Sequence, residues 1–157
     1  MKNKELFEKT VNILVKAYQD DTLEYVDCNA CAVGNIVAAN CGIKLKKNIF
    51  DGIDTIGGKS DYWAESFSFF GEGLKGLSPE KQRTVDSIIQ AKSTGYSFEE
   101  LALIEEAFSK GFIKRYLSKE EKTFLGLMSV VDCLMEIHEA NEQETNLAKS
   151  MFIKETV

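Results

Sequence analysis

The string Asp27-Cys28-Asn29-Ala30-Cys31-Ala32-Val33-Gly34-Asn35 sets two thiols three residues apart at the head of an apolar run. Asp27 or Asn29 is suited to cap a helix running to Asn40, with Gly42 just past its end. A thiol at a helix N-terminus meets free N–H groups and the positive end of the dipole, which favour the thiolate. Cys28 and Cys31 could then form a redox pair or half of a metal site, and otherwise are buried, inert thiols. Zinc needs four ligands. Cys41 lies ten residues beyond Cys31, about 15 Å along a continuous helix. Cys133 and His138 are five residues apart on one helix, about 140° around its axis. No metal is favoured on these spacings, and zinc, if bound, would be held by Cys28 and Cys31. Thioredoxin-type enzymes place this motif after a strand, and no strand pattern precedes Cys28.

His138 is the only histidine. It falls within an apolar arc with Phe124, Val131 and Met135, which suits a core-edge ring bonded to backbone. A general base needs a positioned nucleophile and an orienting acid, and no spacing nominates either. The segment from Gly52 to Ser60 has the look of a phosphate loop. Counting back from Gly58-Lys59-Ser60, however, puts Ile53 where the first glycine belongs. No residue is assigned a catalytic role, and the protein is expected not to be an enzyme.

Carboxylates gather at Asp20, Asp21, Glu24 and Asp27, at Glu99 and Glu106, and at Asp132, Glu136 and Glu139. The last three follow i, i+4, i+7 spacing on a solvent-facing stripe, a surface suited to a cationic partner. The net charge is −6, and the longest basic cluster is Lys44, Lys46 and Lys47. Direct binding to duplex nucleic acid is disfavoured on that count. A second candidate surface is aromatic. Six of the eleven glycines lie between Gly52 and Gly76, around the segment from Tyr62 to Phe70. If Asp61 caps a short helix there, Trp63, Phe67 and Phe70 line one side. Buried, these rings plug a core beneath a glycine-rich crossover; exposed, Tyr62, Trp63 and Phe67 offer a partner surface.

Helical periodicity supplies the scaffold. The first stretch runs from Lys4 to Tyr18 with Phe7, Val11, Leu14 and Tyr18 on one stripe. Ser78-Pro79-Glu80 opens another, which Gly95 stops. Ser97 and Glu100 make a capping box for a helix whose buried stripe is Leu101, Ile104 and Phe108, ended by Gly111. Ser118 and Glu121 open the longest helix, reaching about Asn141, with Phe124, Leu127, Val131, Leu134 and Met135 inward. A weaker helix follows between Glu144 and Lys154 around Leu147, Met151 and Phe152. Strand signals are scarce. The expected fold is all-α, a single domain over residues 1–157 built as a bundle of five to six helices with an irregular middle.

The strings Cys28-Asn-Ala-Cys31-Ala-Val-Gly-Asn35, Gly95-Tyr-Ser-Phe-Glu-Glu-Leu-Ala-Leu-Ile-Glu-Glu-Ala-Phe108 and Leu125-Gly-Leu-Met-Ser-Val-Val-Asp-Cys-Leu-Met-Glu-Ile-His138 resemble a group of small, uncharacterised bacterial and phage proteins. The resemblance carries over no functional residue. No apolar run reaches the roughly 20 residues of a membrane span, and the N-terminus lacks the apolar core of a signal peptide. The expected location is cytoplasmic, with reduced thiols. An acidic chain without a catalytic set suits a protein-binding module. Phage-type relatives suggest an inhibitor of a host defence complex, an anti-CRISPR-like protein acting on a protein or nucleoprotein partner. A zinc- or thiol-dependent protein centred on Cys28 and Cys31 is the alternative.

Overall fold

A computed structural model of the chain describes residues 1–24, 31–40 and 93–154. Among them are five α-helices and no strand, as expected for an all-α bundle. We number them α1 (Lys4–Gln19), α2 (Ala32–Asn40), α3 (Phe98–Ser109), α4 (Lys119–His138) and α5 (Glu142–Ser150), with a 3₁₀ turn at Lys110–Phe112. The helix expected from Ser78 lies outside the described residues except at its end. There Gly95 takes φ +83°, a conformation that favours glycine.

Each start has a visible cause. Asn3 caps α1, accepting the Leu6 N–H at 3.3 Å. Ser97 and Glu100 exchange both bonds of a capping box at α3, and Asn141 and Glu144 do the same at α5. At α4 the Ser118 hydroxyl accepts from the Glu121 N–H and donates to the Glu121 carboxylate. α1 buries Phe7, Thr10, Val11, Leu14, Ala17 and Tyr18, a stripe at helical spacing. α2 is buried from Ala32 to Ala38, as suits a helix apolar on every side. Its Asn35 is buried too, and bonds back to the loop after α1. The amide donates to Thr22 O at 3.1 Å, while the Asn35 oxygen accepts from the Thr22 hydroxyl at 2.9 Å.

α3 and α4 run antiparallel and share the most extensive helix contact, with α1 and α2 packed behind. At one end of the pair, Gly111 and Gly126 let the chains touch. A Cβ on Gly126 would lie 2.5 Å from the Phe108 carbonyl oxygen, and one on Gly111 would collide with the backbone of Lys122 and Gly126. Gly111 is thus required by this close approach rather than as a helix stop.

The other end of the pair is held by a buried polar chain. The Lys2 N–H donates to the His138 carbonyl at 2.6 Å, satisfying one of the acceptors left over at the end of α4. In return His138 Nδ1 lies 2.7 Å from the Lys2 carbonyl. A carbonyl only accepts, so Nδ1 carries the proton, and in the neutral imidazole Nε2 then accepts from the Tyr96 hydroxyl at 2.8 Å. The Tyr96 oxygen accepts in turn from Thr10 Oγ1 at 2.8 Å. Phe7 and Tyr96 both meet the imidazole edge-on, with ring centroids 5.5 Å away.

Two assignments from periodicity change. Phe124 and Met135 are only half-buried, while Gly126, Val130 and His138 are inside. On α5 the inward residues are Thr145 and Ala148, followed by Phe152, and Leu147 and Met151 are exposed. We expect Tyr96→Phe to lower the unfolding free energy by about 1–3 kcal/mol in urea denaturation, because it strands a buried acceptor on His138 and a buried donor on Thr10. Unchanged stability would mean that the polar chain does not hold the helices.

Candidate functional site

α3 and α4 leave a groove of about 550 Å³ along their outer faces. Glu100 and Glu106 enter it from α3, and Asp132 and Glu136 from α4. The helical repeat explains the set in part: Asp132 and Glu136, four apart, fall on one side of α4, while Glu100 and Glu106 lie about 120° apart on α3, on either side of Leu103. Leu103, 51% exposed, and the half-buried Ile137 supply an apolar strip between the carboxylates. Among the described residues Lys110 is the one basic side chain lining the groove.

The Cys133 thiol also lines the groove and responds to its field. Burial is the largest influence raising its pKa to about 11; Glu136, Glu106 and Glu100 push the same way, and Lys110 opposes them. A thiol so placed is held protonated and is a poor nucleophile at neutral pH. Asp132 is partly neutralised by Lys149 of α5, 2.6 Å away.

The residues expected at an acidic surface therefore divide. Asp132 and Glu136 share the groove. Glu139 is the left-handed C-cap of α4, with φ 54°, and pairs with Lys2 at 3.3 Å outside it. Glu100 joins from α3, together with Glu106, which the sequence had placed in a separate cluster. Only the antiparallel pairing of the two helices unites them. Tyr62, Trp63 and Phe67 lie outside the described residues.

Of the cysteine pair, Cys28 lies outside the described residues and Cys31 is 1% exposed. Cys31 immediately precedes α2, and its sulfur accepts the Gly34 N–H at 3.3 Å, in the manner of an N-cap. Beside it stands Glu105 of α3, 9% exposed. Burial is the largest influence on the Glu105 carboxyl and raises its pKa, while hydrogen bonds from Cys31 and from the Val33 backbone pull it down. Its Oε2 is shut off from solvent and has no hydrogen-bond partner. The sequence carries the signal for this placement, since Leu101, Ile104, Glu105 and Phe108 together trace the i, i+3, i+4, i+7 pattern of an inward stripe. Among the described residues no group of three or more His, Cys, Asp or Glu side chains is arranged to hold a metal ion. His138 is 3% exposed with both ring nitrogens engaged, in a structural position bonded to backbone.

No protein-family model, curated protein or solved structure matches the chain. Among the described residues no helix is long and apolar enough to cross a membrane.

Glu105 gives the fold a specific response to pH. Its folded pKa lies above the ordinary 4.5, so the folded state holds its proton more tightly than the unfolded chain. The associated stability is complete below that ordinary value and is lost as pH rises through the raised one. The difference in unfolding free energy between the parent and Glu105→Gln should therefore shift against the parent as pH rises from 4 toward neutrality. A difference that stays constant with pH would contradict the buried placement of this carboxyl.

Proposed function

We propose that the protein is a non-enzymatic binding module whose α3/α4 groove receives a basic segment of another protein. The observation that carries this reading is the convergence of four carboxylates from two helices on one groove beside an apolar strip. Lys and Arg side chains combine a long apolar stem with a charged head, and a groove of this composition suits both parts. Charge of one sign concentrated in a concavity raises the local concentration of cationic segments and speeds their capture. The inhibitor of a host defence complex expected from charge and resemblance is one member of this class. Its contact would be made through a basic segment projecting from the complex, because these carboxylates line a depression.

A fluorescent arginine- and lysine-rich peptide serves as the probe, with binding followed by anisotropy across a salt series. Glu106→Lys combined with Glu136→Lys is expected to weaken binding about tenfold and to flatten its dependence on salt, since exposed pairs contribute up to about 1 kcal/mol each. Glu139→Lys, outside the groove, should bind as the parent does. Equal losses in both variants would reduce the interaction to net charge and remove the groove from the account.

A further inference from the structure

The groove suits a basic segment with apolar side chains beside its charges, and the chain carries such a segment at the tip of the α3/α4 hairpin. We infer that a second copy of this chain is a partner of the groove, the tip of each copy entering the groove of the other in a two-fold pair. The inference rests on the groove reading above and names an occupant for it.

The tip has the composition that the groove selects. Residues 107–119 hold Lys110, Lys114, Arg115 and Lys119 and no carboxylate, in a chain of net charge −6. The Leu117 N–H donates to the Lys114 carbonyl at 3.4 Å, closing a turn with Arg115 and Tyr116 at its corner. Ile113 and Tyr116 are 73% and 81% exposed, more than any other large apolar side chain among the described residues. Lys119, Lys149 and Lys154 each pair with a carboxylate, whereas Lys114 and Arg115 have no ion pair among the described residues. Phe112 anchors the turn, its ring centroid 5.3 Å from that of Phe108. A segment already held in shape loses little freedom on docking.

Tip and groove match in charge and in apolar surface. Exposed Glu106 and Glu136 face a cation with open carboxylates, and Leu103 and Ile137 give Ile113 and Tyr116 an apolar strip to cover. The exposure of Ile113 and Tyr116 places the tip outside its own groove. Lys110 lines the end of the groove nearest the tip and repels a further cation there. Because α3 and α4 run antiparallel, Glu100 and Glu136 mark the opposite end. Turning a second copy about a two-fold axis across the groove carries its tip to that acidic end and offers its own acidic end to the first tip. One axis makes the contact twice and closes the pair.

Sedimentation velocity over a concentration series tests this. The parent should pass from one chain to two and no further. Lys114→Glu with Arg115→Glu should weaken pairing about a hundredfold, because a tenfold loss at one contact counts twice in the pair. Glu106→Lys with Glu136→Lys should do the same. An equimolar mixture of these two variants should pair again, since intact tip meets intact groove at one contact and reversed tip meets reversed groove at the other. Excess arginine- and lysine-rich peptide should dissociate parental pairs. Ile113→Ser with Tyr116→Ser should also weaken pairing, and it replaces a charge variant that fails to fold. The inference is overturned if the parent stays a single chain at about 1 mM, or if the mixture does not pair. It is equally overturned if Leu147→Glu abolishes pairing while the tip variants do not, which would move the contact to α5. The tip variants keep the groove, so when dilute they should bind the peptide as the parent does; that result beside an unpaired parent removes this inference alone. A dilute parent that does not bind the peptide removes the groove reading and this inference with it.

Discussion

Buried polar groups in an otherwise apolar interior must find partners or impose a penalty of about 1–3 kcal/mol each. Thr10, Tyr96 and His138 meet that requirement through one another and through the backbone of Lys2. The solution is geometrically exacting. It fixes the start of the chain against the end of α4, Tyr96 two residues before α3 against the same imidazole, and α1 against both. With the two glycine contacts at the opposite end, it leaves α3 and α4 little freedom to slide or rotate. The groove and the Cys31 site both inherit their geometry from this restraint.

The consequence for function is a division of the α3 surface. Its outer part carries Glu100 and Glu106 to the groove, where Glu106 is exposed and open to a cationic partner. The inner part carries Leu101, Ile104 and Phe108, and Glu105 with them. Two glutamates adjacent in sequence thus differ in chemistry because about 100° of helix rotation separates a solvated position from a buried one. The same separation divides α4, where Asp132 faces the groove and Val131 the core. Glu139, where the helix ends, belongs to neither.

Much of this architecture was legible in local sequence. The stripe of α1, the cap residues Ser97 and Ser118 and the inward run of α3 follow from 3.6-residue periodicity and from hydrogen-bonding side chains at fixed offsets. Local rules gave less where the deciding contact is distant. The Tyr96–His138 bond spans 42 residues and the Thr10–Tyr96 bond 86, so neither has a spacing to find. Gly111 reads as a helix stop because the approach of Gly126 is tertiary. Leu147 and Met151 read as inward because they are apolar, yet α5 turns Thr145 and Ala148 to the core. Glu105 had a usable signal in its stripe position between Ile104 and Phe108, which no reading of the acidic clusters took up. Asp132 and Glu136 were recognised as a surface, but their union with Glu100 and Glu106 required the helix pairing.

The central claim is that one groove, rather than diffuse negative charge, captures a basic segment. Amide chemical-shift mapping of the isotopically labelled protein during titration with an arginine- and lysine-rich peptide tests it directly. The account requires saturable shifts concentrated at residues 100–110 and 129–137, with α1 and the outer face of α5 undisturbed. Shifts spread over all the acidic surfaces, or centred near Leu147 and Met151, would contradict it.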